Sequence, residues 1–150
     1  MVARHVAVVV VALLFMSSGL VRGSEKLEAV VASYLEVQAQ LAADKADGIK
    51  GPAAAIAEQA AGMGAAGADI VKAAKSLEAA GTLEAAREAF GPLSDAVVAA
   101  AKAEGWQGLD GVKLAYCPMA NRSWLQKEDA IRNPYYGSQM LTCGSFKDPR

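Results

Sequence analysis

Leu27, Val30, Tyr34, Val37 and Leu41 recur at alternating steps of three and four. That spacing puts them on one face of a helix predicted over 25–44, with Ser24 as its N-cap and Val31 widening the apolar stripe. Gln38 and Gln40 are expected at the edge of the stripe or outside it. Alanine, the strongest helix former, dominates the chain from there to Glu104. Gly51-Pro52 opens a second helix, because proline in the first turn lacks an N–H that the helix does not need. Gly62, Gly64 and Gly67 predict a loose break. A third helix follows over 68–79, with Ile70, Ala74 and Leu77 on one side. Thr82 is expected to cap a fourth, in which Leu83, Ala86, Phe90, Leu93, Val97, Ala100 and Ala101 face inward. Gly91-Pro92 is expected to kink or interrupt that helix. Short connections favour antiparallel neighbours, so the fold class expected is all-α: an up-down bundle of about four helices.

The first 23 residues read as a signal peptide. Arg4 and the amino terminus precede an uncharged apolar run from Val6 to Phe15, and Val21 and Gly23 stand at the −3 and −1 positions of an export cleavage site. The run is too short to cross a hydrocarbon core of ~30 Å at ~1.5 Å per residue. The expected layout is therefore 1–23 leader and 24–150 one helical domain, with 24–104 as bundle and 105–150 as tail. The expected location is periplasmic or secreted, with no membrane partner after cleavage. The formal charge of −1 supplies no basic field for nucleic acid. The sole histidine, His5, leaves with the leader. The remaining chain then has no imidazole for a triad or a zinc site, and no Gly-rich phosphate loop after a strand, so no enzyme is expected. Asp44 and Asp47, beside Lys45, read as helix-end caps, and Glu84, Arg87 and Glu88 as a solvated face.

Composition shifts near Gly105. Trp106, Tyr116, Trp124, Tyr135, Tyr136 and Phe146 lie beyond it, as do both cysteines. Val112–Tyr116 alternates weakly and predicts a short strand. Trp124–Ile131 predicts a helical turn or two. Gln139–Cys143 is expected either to pair with that strand as a small antiparallel ribbon or to lie on the bundle as ordered coil. Trp106 and Trp124 read as packing anchors, and Tyr135-Tyr136 after Asn133-Pro134 as a turn with packed rings.

Several phrases stand out: Ala86-Arg87-Glu88-Ala89-Phe90 with Pro92-Leu93-Ser94, Tyr116-Cys117-Pro118-Met119, Trp124-Leu125-Gln126-Lys127, Ile131-Arg132-Asn133-Pro134-Tyr135-Tyr136-Gly137, and Met140-Leu141 with Cys143-Gly144. In these the chain resembles a domain-of-unknown-function family. Its members occur as small exported proteins, or fused to the periplasmic adaptor subunits of RND-type heavy-metal efflux pumps for copper and silver. The resemblance implies a helical periplasmic domain linked to metal efflux, with pump components as partners. The adaptor's own barrel and hairpin domains are absent from these residues.

Two readings of the sulfur-bearing residues stay open. In the first, Cys117, Met119, Met140 and Cys143 are metal ligands, since thiolate and thioether select Cu(I) or Ag(I) over hard cations. Trp124 or a tyrosine would then cover the open face of the ion through a cation–π contact. In the second, Cys117 and Cys143 form a structural disulfide, as cysteine pairs in exported proteins commonly do. It would close a loop of about 27 residues and stabilise by ~3–4 kcal/mol. Met119 and Met140 would then be ordinary core fillers, and the chain an interaction module with no metal role.

Overall fold

The computed structural model describes residues 17–149, with side chains from Gly23 onward. Most of the expected leader lies outside the described residues. Four helices are followed by a small antiparallel sheet at the C-terminal end: α1 Ser17–Ala42, α2 Lys50–Ala61, α3 Ala68–Glu78, α4 Leu83–Ala103, β1 Lys113–Cys117, β2 Arg122–Gln126 and β3 Ser145–Lys147. None of these helices is long and apolar enough to cross a membrane.

The stripe of α1 forms as its spacing requires: Leu27, Val30, Tyr34, Val37 and Leu41 are fully buried. The helix starts at Ser17, so Ser24 lies inside it and is not its N-cap. Gln38 is buried rather than peripheral; its Nε2 donates to the Arg132 carbonyl at 2.7 Å, which satisfies a polar group that would otherwise be costly to bury. Each helix packs against the next, and α1 also meets α4. Ile56, Ile70 and Leu77 fill the space between, with alanines such as Ala53, Ala60 and Ala74 allowing close approach. The expected loose break is a 3-10 turn, Gly64–Gly67, whose last glycine is buried. Thr82 caps α4 as expected, its Oγ1 accepting from the Ala85 amide at 3.1 Å. Pro92 does not interrupt α4, which is continuous through it.

The core extends from the helices into the tail without a gap, taking in Leu114, Ala115, Cys117, Trp124 and Leu125. The sheet order is β2-β1-β3. Ala115 faces Trp124 on one side and Phe146 on the other. The first part of the expected helical stretch, up to Gln126, is thus strand β2, and 127–131 is loop. The third strand is Ser145–Lys147, not Gln139–Cys143, which instead holds the end of a short 3-10 turn and the turn before Cys143. β2 rests on α4 through a buried chain of hydroxyls. Tyr34 and Ser94 are in contact at 2.6 Å, and Ser94 donates to the Ser123 carbonyl at 2.9 Å. The Leu125 amide donates to Tyr34 at 3.2 Å, and Tyr135 donates to Ser123 at 2.7 Å. Burial pushes the phenols of Tyr34 and Tyr135 above their ordinary pKa, so both stay neutral donors.

Arg87, expected in solvent, is half-buried where α1, α4 and the tail meet. Its guanidinium donates to the Leu41 carbonyl at 2.9 Å, the Pro134 carbonyl at 3.1 Å and Asp44 Oδ1 at 2.5 Å. Asp44 also accepts from the Ser138 amide, at 3.1 Å through Oδ2. The bonds from Ser138 and then Arg87 hold the Asp44 carboxyl below its ordinary pKa. Glu84 and Glu88 are exposed, as a solvated face requires.

Candidate functional site

The two cysteines come together. Cys117 Sγ and Cys143 Sγ are 2.8 Å apart, two thiols in contact rather than a bond of ~2.05 Å. They are 26 positions apart in the chain. Cys117 is the last residue of β1, the central strand, and is fully buried. Cys143 is half-buried in the turn that leads into β3; its amide donates to the Met140 carbonyl at 3.0 Å. Asn133, itself fully buried, fixes that turn from behind. Its amide donates to the Leu141 carbonyl at 2.8 Å and its Nδ2 to the Cys143 carbonyl at 2.8 Å.

Gly144 brings the turn in close. Its φ is +143°, and a Cβ there would stand 2.7 Å from Trp124 Cη2 and 3.0 Å from the Tyr116 carbonyl oxygen. A side chain at this position would push Cys143 away from Cys117. Trp124 thus supports the site from below, fully buried and with its Nε1 donating to Gln126 Oε1 at 3.0 Å. It is the packing anchor expected and does not form an open aromatic lid.

The β1–β2 turn, Pro118–Asn121, turns backbone donors toward sulfur. The Ala120 amide reaches Cys117 Sγ at 3.5 Å. Burial pushes the Cys117 thiol up, but hydrogen bonds from Cys143, the Ala120 and Met119 amides and the Asn133 side chain outweigh it, and its pKa falls below the ordinary value. Cys143 moves the other way, raised first by its hydrogen bond to Cys117 and then by burial. The hydrogen bond between the two sulfurs thus shifts them in opposite directions, the buried one down and the outer one up.

Of the four expected ligands, the two thiols share a site. Met119 adjoins it through its backbone, but its side chain, at the tip of the β1–β2 turn, is 66% exposed and so is not the core filler of the second reading. Met140 is half-buried in the Cys143 turn. Among the described residues no three His, Cys, Asp or Glu side chains gather as a metal group. The donor set fits a soft cation that accepts two thiolates and does not fit a hard one. A cleft of about 710 Å³ lies between Glu84 and Glu88 of α4 and Arg122 and Tyr136 of the tail; Ala120 is in its wall, so it borders the sulfur turn.

The part of the site that sequence reasoning missed is Asn133 and the two backbone amides. Asn133-Pro134 marked a turn, but a buried asparagine that clamps a cysteine segment ten positions later has no local pattern. A comparison with protein-family models, with curated proteins and with solved structures finds no match.

Proposed function

We propose that the chain is an exported accessory protein of copper or silver homeostasis, whose reduced Cys117–Cys143 pair binds one Cu(I) or Ag(I). The observation that carries this reading is the 2.8 Å approach of two thiols, with the Ala120 amide turned toward the buried one at 3.5 Å. The soft cation takes the place of the shared proton between two sulfurs. Met119, exposed beside the pair, supplies a weak third ligand, and Met140 stands in the turn that carries Cys143. Removal of 1–23 delivers the chain to the periplasm or beyond, where the tail phrases point to heavy-metal efflux components as partners. The four helices serve as scaffold, arranged up and down as antiparallel neighbours, and the protein performs no catalysis.

The same proximity also favours the second reading, a non-metal interaction module stapled by a Cys117–Cys143 disulfide. Anaerobic titration of the reduced protein with Cu(I), in competition with a chromophoric chelator, separates the two. The expected result is one ion bound per chain, binding abolished in Cys117→Ser and weakened about tenfold or less in Met119→Ala. Absence of binding by the folded, reduced protein would leave only the stapled module.

A further inference from the structure

The two sulfurs are unequal in access. Cys117 is fully buried at the end of the central strand, whereas Cys143 is half-exposed in a surface turn. Both are held in contact by a fixed frame, with Asn133 clamping the Cys143 backbone and the Ala120 amide at Cys117 Sγ. An external disulfide or thiol is far larger than either sulfur and meets the outer one. From this geometry we infer that thiol–disulfide exchange at the pair passes through Cys143, with Cys117 as the resolving sulfur.

In the closing direction the oxidant is a disulfide, small-molecule or protein-borne. The Cys143 sulfur attacks one sulfur of R–S–S–R, and its proton passes to the departing sulfur. An S–S bond forms between Cys143 and R, the R–S–S–R bond breaks, and the first RSH leaves. The Cys117 sulfur then attacks the Cys143 sulfur, its proton passes to the second departing sulfur, the protein disulfide forms, and the second RSH leaves. The two thiol protons end on two RSH, the external disulfide gains two electrons, and the cysteine pair loses them. Opening reverses the path: a thiolate attacks Cys143 and Cys117 departs. The Ala120 amide at Cys117 Sγ stabilises it as leaving group. This order of events does not depend on metal binding.

Oxidised glutathione is the probe. With Cys117→Ser, a stable adduct of one glutathione per chain should accumulate on Cys143. With Cys143→Ser, modification should be slower by at least about tenfold, because the remaining sulfur is buried. In the unaltered protein, acid quenching at early times followed by alkylation and peptide mapping should find glutathione on the Cys143 peptide, and later only the intramolecular disulfide. That arm needs no variant to fold. Glutathione on Cys117 in the quenched protein, comparable rates in the two variants, or no reaction of the folded reduced protein would each overturn the inference.

Discussion

Trp124→Ala should destabilise the protein by about 3–5 kcal/mol, the range for emptying a large buried aromatic site. The indole is fully buried, meets Tyr135 edge-on at 6.0 Å between ring centroids, and lies under Gly144. Tyr135 in turn meets Phe90 of α4 at 5.6 Å, and Phe90 stacks on Tyr34 of α1 at 5.1 Å. Trp124 is therefore the last ring in a stack that runs from α1 through α4 to the cysteine turn. Removing it takes away the support of the tail while leaving the helix contacts in place. Thermal unfolding should show a midpoint lowered by on the order of 10–20 °C. In the folded variant, Cys143 should also react faster with an alkylating reagent. A loss below about 1 kcal/mol would mean that the stack does not join the tail to the helices.

Gly137→Ala should cost about 2–4 kcal/mol, for two separable reasons. The residue has φ +53°, where an L side chain is strained by ~1–2 kcal/mol. A Cβ there would also stand 1.9 Å from Asp44 Oδ1 and 2.1 Å from Arg87 Nη2. Either the ion pair moves or the turn does, and overpacking of this kind costs ~1–3 kcal/mol. The pair holds α1, α4 and the tail together, so its displacement frees the segment that carries Asn133. At Gly51, in the first turn of α2, a Cβ would meet nothing within 4 Å. The same substitution there should be neutral or stabilise by up to ~1 kcal/mol. Urea unfolding of the two variants side by side checks both statements. Equal effects at the two positions would remove the role given to the Asp44–Arg87 junction.

The helices were legible because their signal is local. The α1 stripe, the Thr82 cap and the inward positions of α4 all follow from residues within a turn or two of one another. Gln38 and Arg87 were misplaced because polarity alone sends a side chain outward, and the carbonyls that hold them inside are remote in sequence. For Gln38 the partner, Arg132, is 94 positions away; for Arg87, the carbonyls of Leu41 and Pro134 are 46 and 47. Trp124-Leu125-Gln126 read as helix for a related reason. All three side chains are buried, so β2 lacks the alternation that marks a half-exposed strand. The meeting of Cys117 with Cys143 was legible from residue type, as two cysteines in a short tail. Their unequal exposure was not, because it comes from the place of β1 between two other strands.

The claim that both thiols serve one soft cation is tested most directly by X-ray absorption at the copper edge of the Cu(I)-loaded, reduced protein. The expected spectrum is that of monovalent copper with a first shell of sulfur alone, and that shell is lost in Cys143→Ser. A first shell dominated by nitrogen or oxygen, or a sulfur shell that persists without Cys143, would contradict it.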